Sequence, residues 1–95
     1  MKTGQEALDA LKVHEFDLPR YFMEQGLSGR KDDCKLCPIA RYLSRETDAV
    51  EVDVSAWTSF LVSADGREEW ITHPDFIGDF IEQFDAGEFP NLVLP

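Results

Sequence analysis

The feature that most constrains this chain is a short alternation of apolar and acidic residues, because residues 50–54 read Val-Glu-Val-Asp-Val. Successive side chains of a β-strand point to opposite faces, so a period of two predicts a strand with one buried face and one face in water. We therefore expect the three valines to pack on a core and a sheet to begin near residue 50.

Two further strands follow in the same part of the chain. Residues 57–63 and 67–72 carry β-branched and aromatic residues, and the Asp65-Gly66 pair between them is typical of a two-residue hairpin turn. Three strands joined in order by short turns predict an antiparallel meander.

The N-terminal part of the chain follows a helical period instead. Thr3 and Glu6 have the spacing of a capping box, which predicts a helix start. A second short helix is expected after Asp17, which can cap it, and Gly26 would end it. The apolar positions of the first helix are Ala7, Leu8, Leu11 and, as an extension, Phe16.

Two more helices complete the predicted set. Pro38 fits the first turn of the third helix, because its missing N–H has no partner there. After the strands, Thr72 as a cap and Pro74 as a first-turn proline announce a last helix, which Gly87 would end. Its apolar stripe consists of Phe76, Ile77, Phe80, Ile81 and Phe84.

These patterns predict a single α+β domain over residues 1–95, in which a small three-stranded antiparallel meander packs with about four helices. A chain of 95 residues suits one hydrophobic core. Its seven Phe and two Trp supply the apolar bulk that disordered chains lack. The apolar tail, residues 89–95, is expected to pack down or to meet a partner.

The net charge of −10 is concentrated in one half of the chain. Residues 1–45 hold eight bases and seven acids, a balance of +1, whereas residues 46–95 hold one base and twelve acids, a balance of −11. Direct nucleic-acid binding requires clustered Lys and Arg, so this composition argues against it. Asymmetry of this size bears on association with other molecules.

Membrane insertion and export are not expected either. No stretch approaches the roughly 18 apolar residues of a membrane-spanning helix, and the N-terminus lacks the apolar run of a signal peptide. We therefore expect a cytoplasmic protein without membrane contact, in which thiols stay reduced.

The cysteine pair Cys34 and Cys37 precedes Pro38 and raises three hypotheses. A thiol at a helix start has a lowered pKa, so Cys37, assisted by Arg41 and resolved by Cys34, fits a thiol–disulfide oxidoreductase. Yet the proline follows the pair and no strand precedes it, unlike the thioredoxin pattern. A metal site would need further ligands, and His14 and His73 lack the spacing. Both cysteines also fit as small packed residues.

Other chemistry-bearing residues are few. Asp75, Asp79 and Glu82 share one helical face; they suit acid–base chemistry only if buried, and otherwise form a solvated face or imitate a nucleic-acid backbone. Trp57 and Trp70 are candidate anchors for a partner, although core positions suit them equally. The chain contains no nucleophile elbow, P-loop or zinc-protease motif, so we expect no enzyme and no cofactor.

The segment DDCKLCPIARYLSRETDAVEVDVSAW, together with the later F-x-x-x-F-D-A-G-E-F-P pattern, resembles small uncharacterised proteins of actinobacteria and of the phages that infect them. In these proteins C-x-x-C-P-I-A-x-Y-L precedes a Val-rich strand. The resemblance covers residues 32–92 and carries no catalytic residues. It implies a small accessory gene product, encoded by a phage and acting on host machinery by binding.

The leading hypothesis is therefore a non-enzymatic, cytoplasmic interaction protein with a host protein as partner. The oxidoreductase and an acidic nucleic-acid mimic that inhibits a DNA-binding or defence protein of the host remain alternatives. On the third helix, Arg41 and Arg45 should lie opposite Ile39 and Leu43, because they are about 200° away around the helix. From there we expect them to reach carboxylates of the acidic half, within the domain or in a homodimer.

Overall fold

The computed structural model describes residues 2–93 and confirms the α+β class, with four α-helices and one three-stranded antiparallel sheet. Short 3-10 segments extend the first helix over Ala10–His14 and form part of the tail at Pro90–Leu92. The elements in chain order are α1 Gly4–Asp9, α2 Leu18–Glu24, α3 Pro38–Glu46, β1 Ala49–Val54, β2 Thr58–Ser63, β3 Glu68–Thr72 and α4 Asp75–Asp85.

The sheet has the predicted meander order β1-β2-β3, but its first strand does not follow a strict alternation. Val52 and Val54 are buried, whereas Val50 is 70% exposed. Ala49 pairs with Ser63 and Glu51 pairs with Val62, so Val50 is the extra residue of a β-bulge. A bulge shifts the strand by one residue, which turns Val50 to the solvent and corrects the expectation of three buried valines.

The hairpin between β2 and β3 is one residue longer than the predicted two-residue turn. The Ser63 N–H donates to the Arg67 carbonyl at 2.9 Å, which leaves three residues in the loop. Gly66 adopts φ 88° and donates to the Ser63 carbonyl at 3.0 Å. This arrangement, a turn followed by a left-handed glycine, is the usual three-residue alternative.

Of the first two helices, only α1 has the side-chain cap that the sequence predicts. Both capping-box hydrogen bonds of Thr3 and Glu6 are present at α1. Asp17 precedes α2, yet its side chain makes no capping bond. Helix α1 ends at Asp9 and tightens into the 3-10 segment, which changes the direction of the following side chains; as a result Phe16 is 96% exposed and does not extend the apolar face.

Helix α3 is the best-buried helix of the domain. Pro38 occupies its first turn as predicted, and the expected core positions Ile39, Tyr42 and Leu43 are buried. The Tyr42 hydroxyl donates to the Ala7 carbonyl at 2.7 Å, which ties α3 to α1. Helix α3 also contacts β1, so it bridges the helices and the inner face of the sheet.

Helix α4 begins later than predicted. Thr72 is the last residue of β3 rather than a cap, and Pro74 stands at the N-cap position instead of inside the first turn. Strand pairing of Thr72 with Thr58 explains the difference, because it keeps that residue extended. The apolar stripe packs into the core as expected, with Phe76 partly buried, and Gly87 at φ 85° follows the helix end.

The tail packs on the domain through Val93, whereas Leu94 and Pro95 lie outside the described residues. Leu92 is buried, and its carbonyl accepts the Gly29 N–H at 2.8 Å. Val93 forms a parallel bridge with Gly29. A Cβ at position 29 would come within 2.4 Å of the Leu36 carbonyl oxygen, so the chain approaches itself there more closely than any side chain permits.

We therefore expect Gly29→Ala to destabilise the domain by about 2–3 kcal/mol, because the clash is with backbone atoms that cannot move without opening the core. Gly66→Ala is the control, since it strains a positive φ in open space and should cost only about 1 kcal/mol. Urea unfolding of both variants measures the difference. An equal decrease in the free energy of unfolding for both variants would contradict the prediction, because it would show that the backbone around position 29 moves to accept a Cβ atom.

Candidate functional site

The outward side of the sheet presents an ordered array of side chains, which we call the open face. Val52, Leu61 and Ile71 point to the core, so the intervening residues of each strand point outward. The open face consists of Glu51 and Asp53 on β1, Thr58, Phe60 and Val62 on β2, and Glu68, Trp70 and Thr72 on β3.

An aromatic pair lies at the centre of the open face. Phe60 pairs across the strands with Asp53 on one side and Trp70 on the other. The rings of Phe60 and Trp70 stand 4.4 Å apart between centroids, and Trp70 remains 72% exposed. Beside them a trough of about 360 Å³ is lined by Cys34, Asp53, Phe60 and Trp70, among others.

Glu51 and Asp53 on β1 form the acidic edge of the open face, and one lysine and one cysteine contact their carboxylates. Lys35 Nζ lies 3.4 Å from a Glu51 oxygen and 3.2 Å from an Asp53 oxygen. The Cys34 thiol donates to Asp53 at 3.1 Å. These hydrogen bonds, first from Cys34 and then from Lys35, lower the pKa of the Asp53 carboxyl, so it carries its charge at neutral pH.

The second tryptophan lies elsewhere. Trp57 precedes β2 and packs against α4, because a Cβ at Gly78 would come within 2.4 Å of the indole ring. The glycine therefore makes room for the ring, and 46% of Trp57 stays exposed. The structure does not bring Trp57 and Trp70 together, so the two residues do not form one anchor site.

The acids of α4 are on its outer surface, as the helical spacing predicts. Asp75, Asp79 and Glu82 are all exposed. Among residues 2–93 their carboxylates take part in no ion pair. Acid–base chemistry needs a buried carboxyl group, and these exposed positions do not provide one.

The two cysteines occupy different environments at the start of α3. Cys37 is the N-cap residue and is buried, and its sulfur accepts the Ala40 N–H at 3.4 Å. Cys34 is exposed in the loop that precedes α3, and its backbone carbonyl accepts the Val54 N–H at 2.7 Å. The loop is thus attached to the end of β1.

Neither thiol has the lowered pKa that the oxidoreductase hypothesis requires. Burial raises the pKa of Cys37 to about 11 and outweighs the opposing hydrogen bonds from Ala40 and Ile39. The hydrogen bond to the Asp53 carboxylate raises the pKa of Cys34. The depression of about 260 Å³ beside both cysteines is lined by carboxylates of Asp32, Asp33 and Asp85 rather than by bases. This environment does not support the oxidoreductase alternative.

The two arginines of α3 behave differently from each other. Arg45 is exposed as expected, but it lies 3.1 Å from an oxygen of Glu46, the next residue of the same helix, so this pair does not join the two halves across the domain. Arg41 is half-buried and donates to the Ser28 carbonyl instead of a carboxylate, so its expected outward pairing is wrong. The loop after α2 crosses this side of α3 and offers the nearer acceptor. Lysines take over the remaining pairing between the halves, at Lys2–Glu46 and at Lys35.

The sequence alone does not predict a buried polar pair, Ser59 and His73. Ser59 and His73 are both buried, and Ser59 Oγ lies 2.5 Å from His73 Nε2. His73 Nδ1 lies 2.9 Å from the Ala56 carbonyl, which can only accept, so Nδ1 carries the proton and Nε2 accepts from the serine. Burial lowers the pKa of His73. The alternation within β2 signals an inward Ser59, but only the strand register brings His73 to it.

Within residues 2–93, no group of three or more His, Cys, Asp or Glu side chains is arranged to hold a metal ion. None of the helices in that range has the length and apolar character that a membrane span needs. No protein-family model, curated protein or solved structure matches the chain. Among the features described above, the open face has the geometry that best supports a functional site.

We expect Asp53→Asn to accelerate alkylation of Cys34 at about pH 8, because loss of the carboxylate lowers the thiol pKa and each unit yields up to tenfold more thiolate. Iodoacetamide labelling followed by mass spectrometry measures each thiol separately. Glu51→Gln is the control, since that residue contacts Lys35 and not the thiol. Cys37 should stay unlabelled in the folded protein, and equal Cys34 rates in both variants would contradict the assignment.

A second prediction concerns His73. Its folded pKa lies below the unfolded value of about 6.5, so the folded state binds fewer protons and stability is lost as pH falls from about 7 towards the folded pKa. Each unit of difference corresponds to about 1.4 kcal/mol. Urea unfolding across this range should show a shallower pH dependence for His73→Gln than for the parent. The same slope in both proteins would refute the prediction.

Proposed function

We propose that this protein acts by binding another protein through the open face of its sheet. The observation that carries the proposal is the exposure of Trp70, 72% accessible above the Phe60 ring. A large aromatic side chain in water contributes little to folding, and Trp is enriched among the residues that dominate binding free energy. The helices pack on the other side of the sheet and leave this pair uncovered.

The open face is also rigid enough to bind without a large entropic cost. Phe60 belongs to the central strand and is paired on both sides, so its backbone is fixed by its neighbours. The contact with Trp70 restricts both rings before any partner arrives. Side chains that are already ordered lose less conformational freedom on binding, which leaves more of the contact free energy as affinity.

The resemblance of residues 32–92 to proteins of actinobacteria and their phages extends the proposal. We infer a small accessory protein of phage origin that meets a host protein in the host cytoplasm and alters its activity by occupying it. The negative charge of the C-terminal half favours a partner with a basic surface, because opposite charges accelerate and orient the encounter.

The nucleic-acid mimic remains a second candidate, and one observation favours it. The carboxylates of Asp75, Asp79 and Glu82 are exposed along one side of α4 without ion pairs among residues 2–93, so their charge is available to a basic protein. A mimic would lose its partner when these acids become amides and when salt rises above about 0.15 M. The open-face proposal expects loss of binding with Trp70 instead.

We expect the double variant Trp70→Ala, Phe60→Ala to retain its fold and to lose capture of host proteins by about tenfold or more, since both residues lie at the centre of the proposed interface. Affinity capture from an actinobacterial lysate with quantitative mass spectrometry measures this. Phe16→Ala is the matched control, because it also removes an exposed aromatic ring but lies in the loop before α2, outside the three strands. Capture that is equal for both variants would refute the role of the open face.

A further inference from the structure

We propose that the open face recognises arginine side chains in a basic segment of its partner, with the guanidinium between the Trp70 ring and the flanking carboxylates of Asp53 and Glu68. This inference rests on the proposed function and names the chemistry of the partner. It follows from the arrangement of rings and acids on the three strands, from the lysine already held there and from the charge of the whole chain.

The arrangement places carboxylates beside the aromatic pair on both outer strands of the sheet. Asp53, Phe60 and Trp70 form one row across the sheet, and Glu51, Val62 and Glu68 form the next. Strands lie about 4.8 Å apart, so the acids of β1 stand roughly 10 Å from the β3 side chains of the same row. One basic segment that crosses the strands can therefore contact the indole and carboxylates of both outer strands.

Lys35 indicates what these carboxylates bind. Its ammonium lies within 3.4 Å of Glu51 and 3.2 Å of Asp53, at the acidic edge of the open face. The lysine side chain is itself 57% exposed, so it occupies the edge without closing it. Exposed ion pairs of this kind contribute little free energy, and a cation from a partner can replace the lysine at small cost.

Arginine fits this site better than lysine does. Its flat guanidinium stacks on aromatic rings and donates to carboxylates in a fork, whereas an ammonium is a strongly hydrated point charge. Nucleic acid would also stack on the rings, but its phosphates would meet Glu51, Asp53 and Glu68. A second copy of this chain is a poor occupant, because 19 acids against nine bases make two copies repel each other.

The test uses three short labelled peptides in which serine alternates with arginine, with lysine or with citrulline, the uncharged analogue of arginine. Binding is measured by fluorescence anisotropy at about 0.15 M salt, where distant charges are screened. The full chain is compared with Trp70→Ala, with Glu51→Gln plus Asp53→Asn, and with Lys35→Met. The matched control is Asp79→Asn plus Glu82→Gln, which removes the same charge from α4.

We expect the arginine peptide to bind at least about tenfold more tightly than the citrulline peptide and several-fold more tightly than the lysine peptide. Trp70→Ala and the β1 double variant should each weaken binding by about five- to tenfold. The α4 control should change it less than twofold. Lys35→Met should strengthen binding, because it frees the carboxylates of Glu51 and Asp53 for the peptide. A nonspecific contact between the peptide and Trp70 would not produce this gain.

The inference is overturned if arginine and lysine peptides bind alike, or if the α4 control weakens binding as much as the β1 variant does, because binding then follows total charge alone. It is also overturned if the arginine peptide does not bind while the Trp70 and Phe60 substitutions still abolish capture from the lysate; the proposed function survives that result. If capture from the lysate is unchanged when Trp70 and Phe60 are both substituted, the proposed function itself is rejected.

Discussion

Burial of the first turn of helix α3 is the constraint on which the rest of the structure depends. Pro38, Ile39 and Ala40 are consecutive and all buried, so the end of the helix, and not only one face, lies inside the protein. Buried backbone N–H groups need partners. The sulfur of Cys37 supplies one, and the loop before it folds back over the helix end, where only glycine fits at position 29.

The same burial sets the direction of the pKa shift of Cys37. The position of Cys37 at a helix start would by itself lower its pKa, and two backbone hydrogen bonds act in that direction. Removal from water acts in the opposite direction and is the stronger effect. A sulfur atom suits this place because it is a small apolar group that can still accept a weak hydrogen bond. Position along the chain therefore suggests a reactive thiol, whereas burial of the helix end raises the pKa of that thiol.

Local patterns in the sequence predicted the elements well, because helix caps and apolar periods act between near neighbours. The capping box at Thr3 and the alternation that buries Val52 are examples. The bulge at Val50 could not be predicted, since it depends on the partner strand. The same holds for the site: the sequence indicated Trp70, but its proximity to Phe60, and that of Ser59 to His73, arise from strand register. Side-chain partners far apart in sequence are decided by tertiary packing.

The bulge at Val50 has a further consequence, which concerns self-association of the sheet. An exposed, regular edge strand can pair with an edge of another molecule and begin a fibril. On β1 the extra residue interrupts the regular ladder, and the Cys34 carbonyl already occupies the Val54 N–H. On β3 the carboxylate of Glu69 accepts the N–H groups of Gly4 and Gln5, which brings helix α1 to that border. Both borders of this small sheet are thereby less available for pairing with the edge of another molecule, so the exposed aromatic pair and not a free strand edge is the feature through which the sheet can meet a partner.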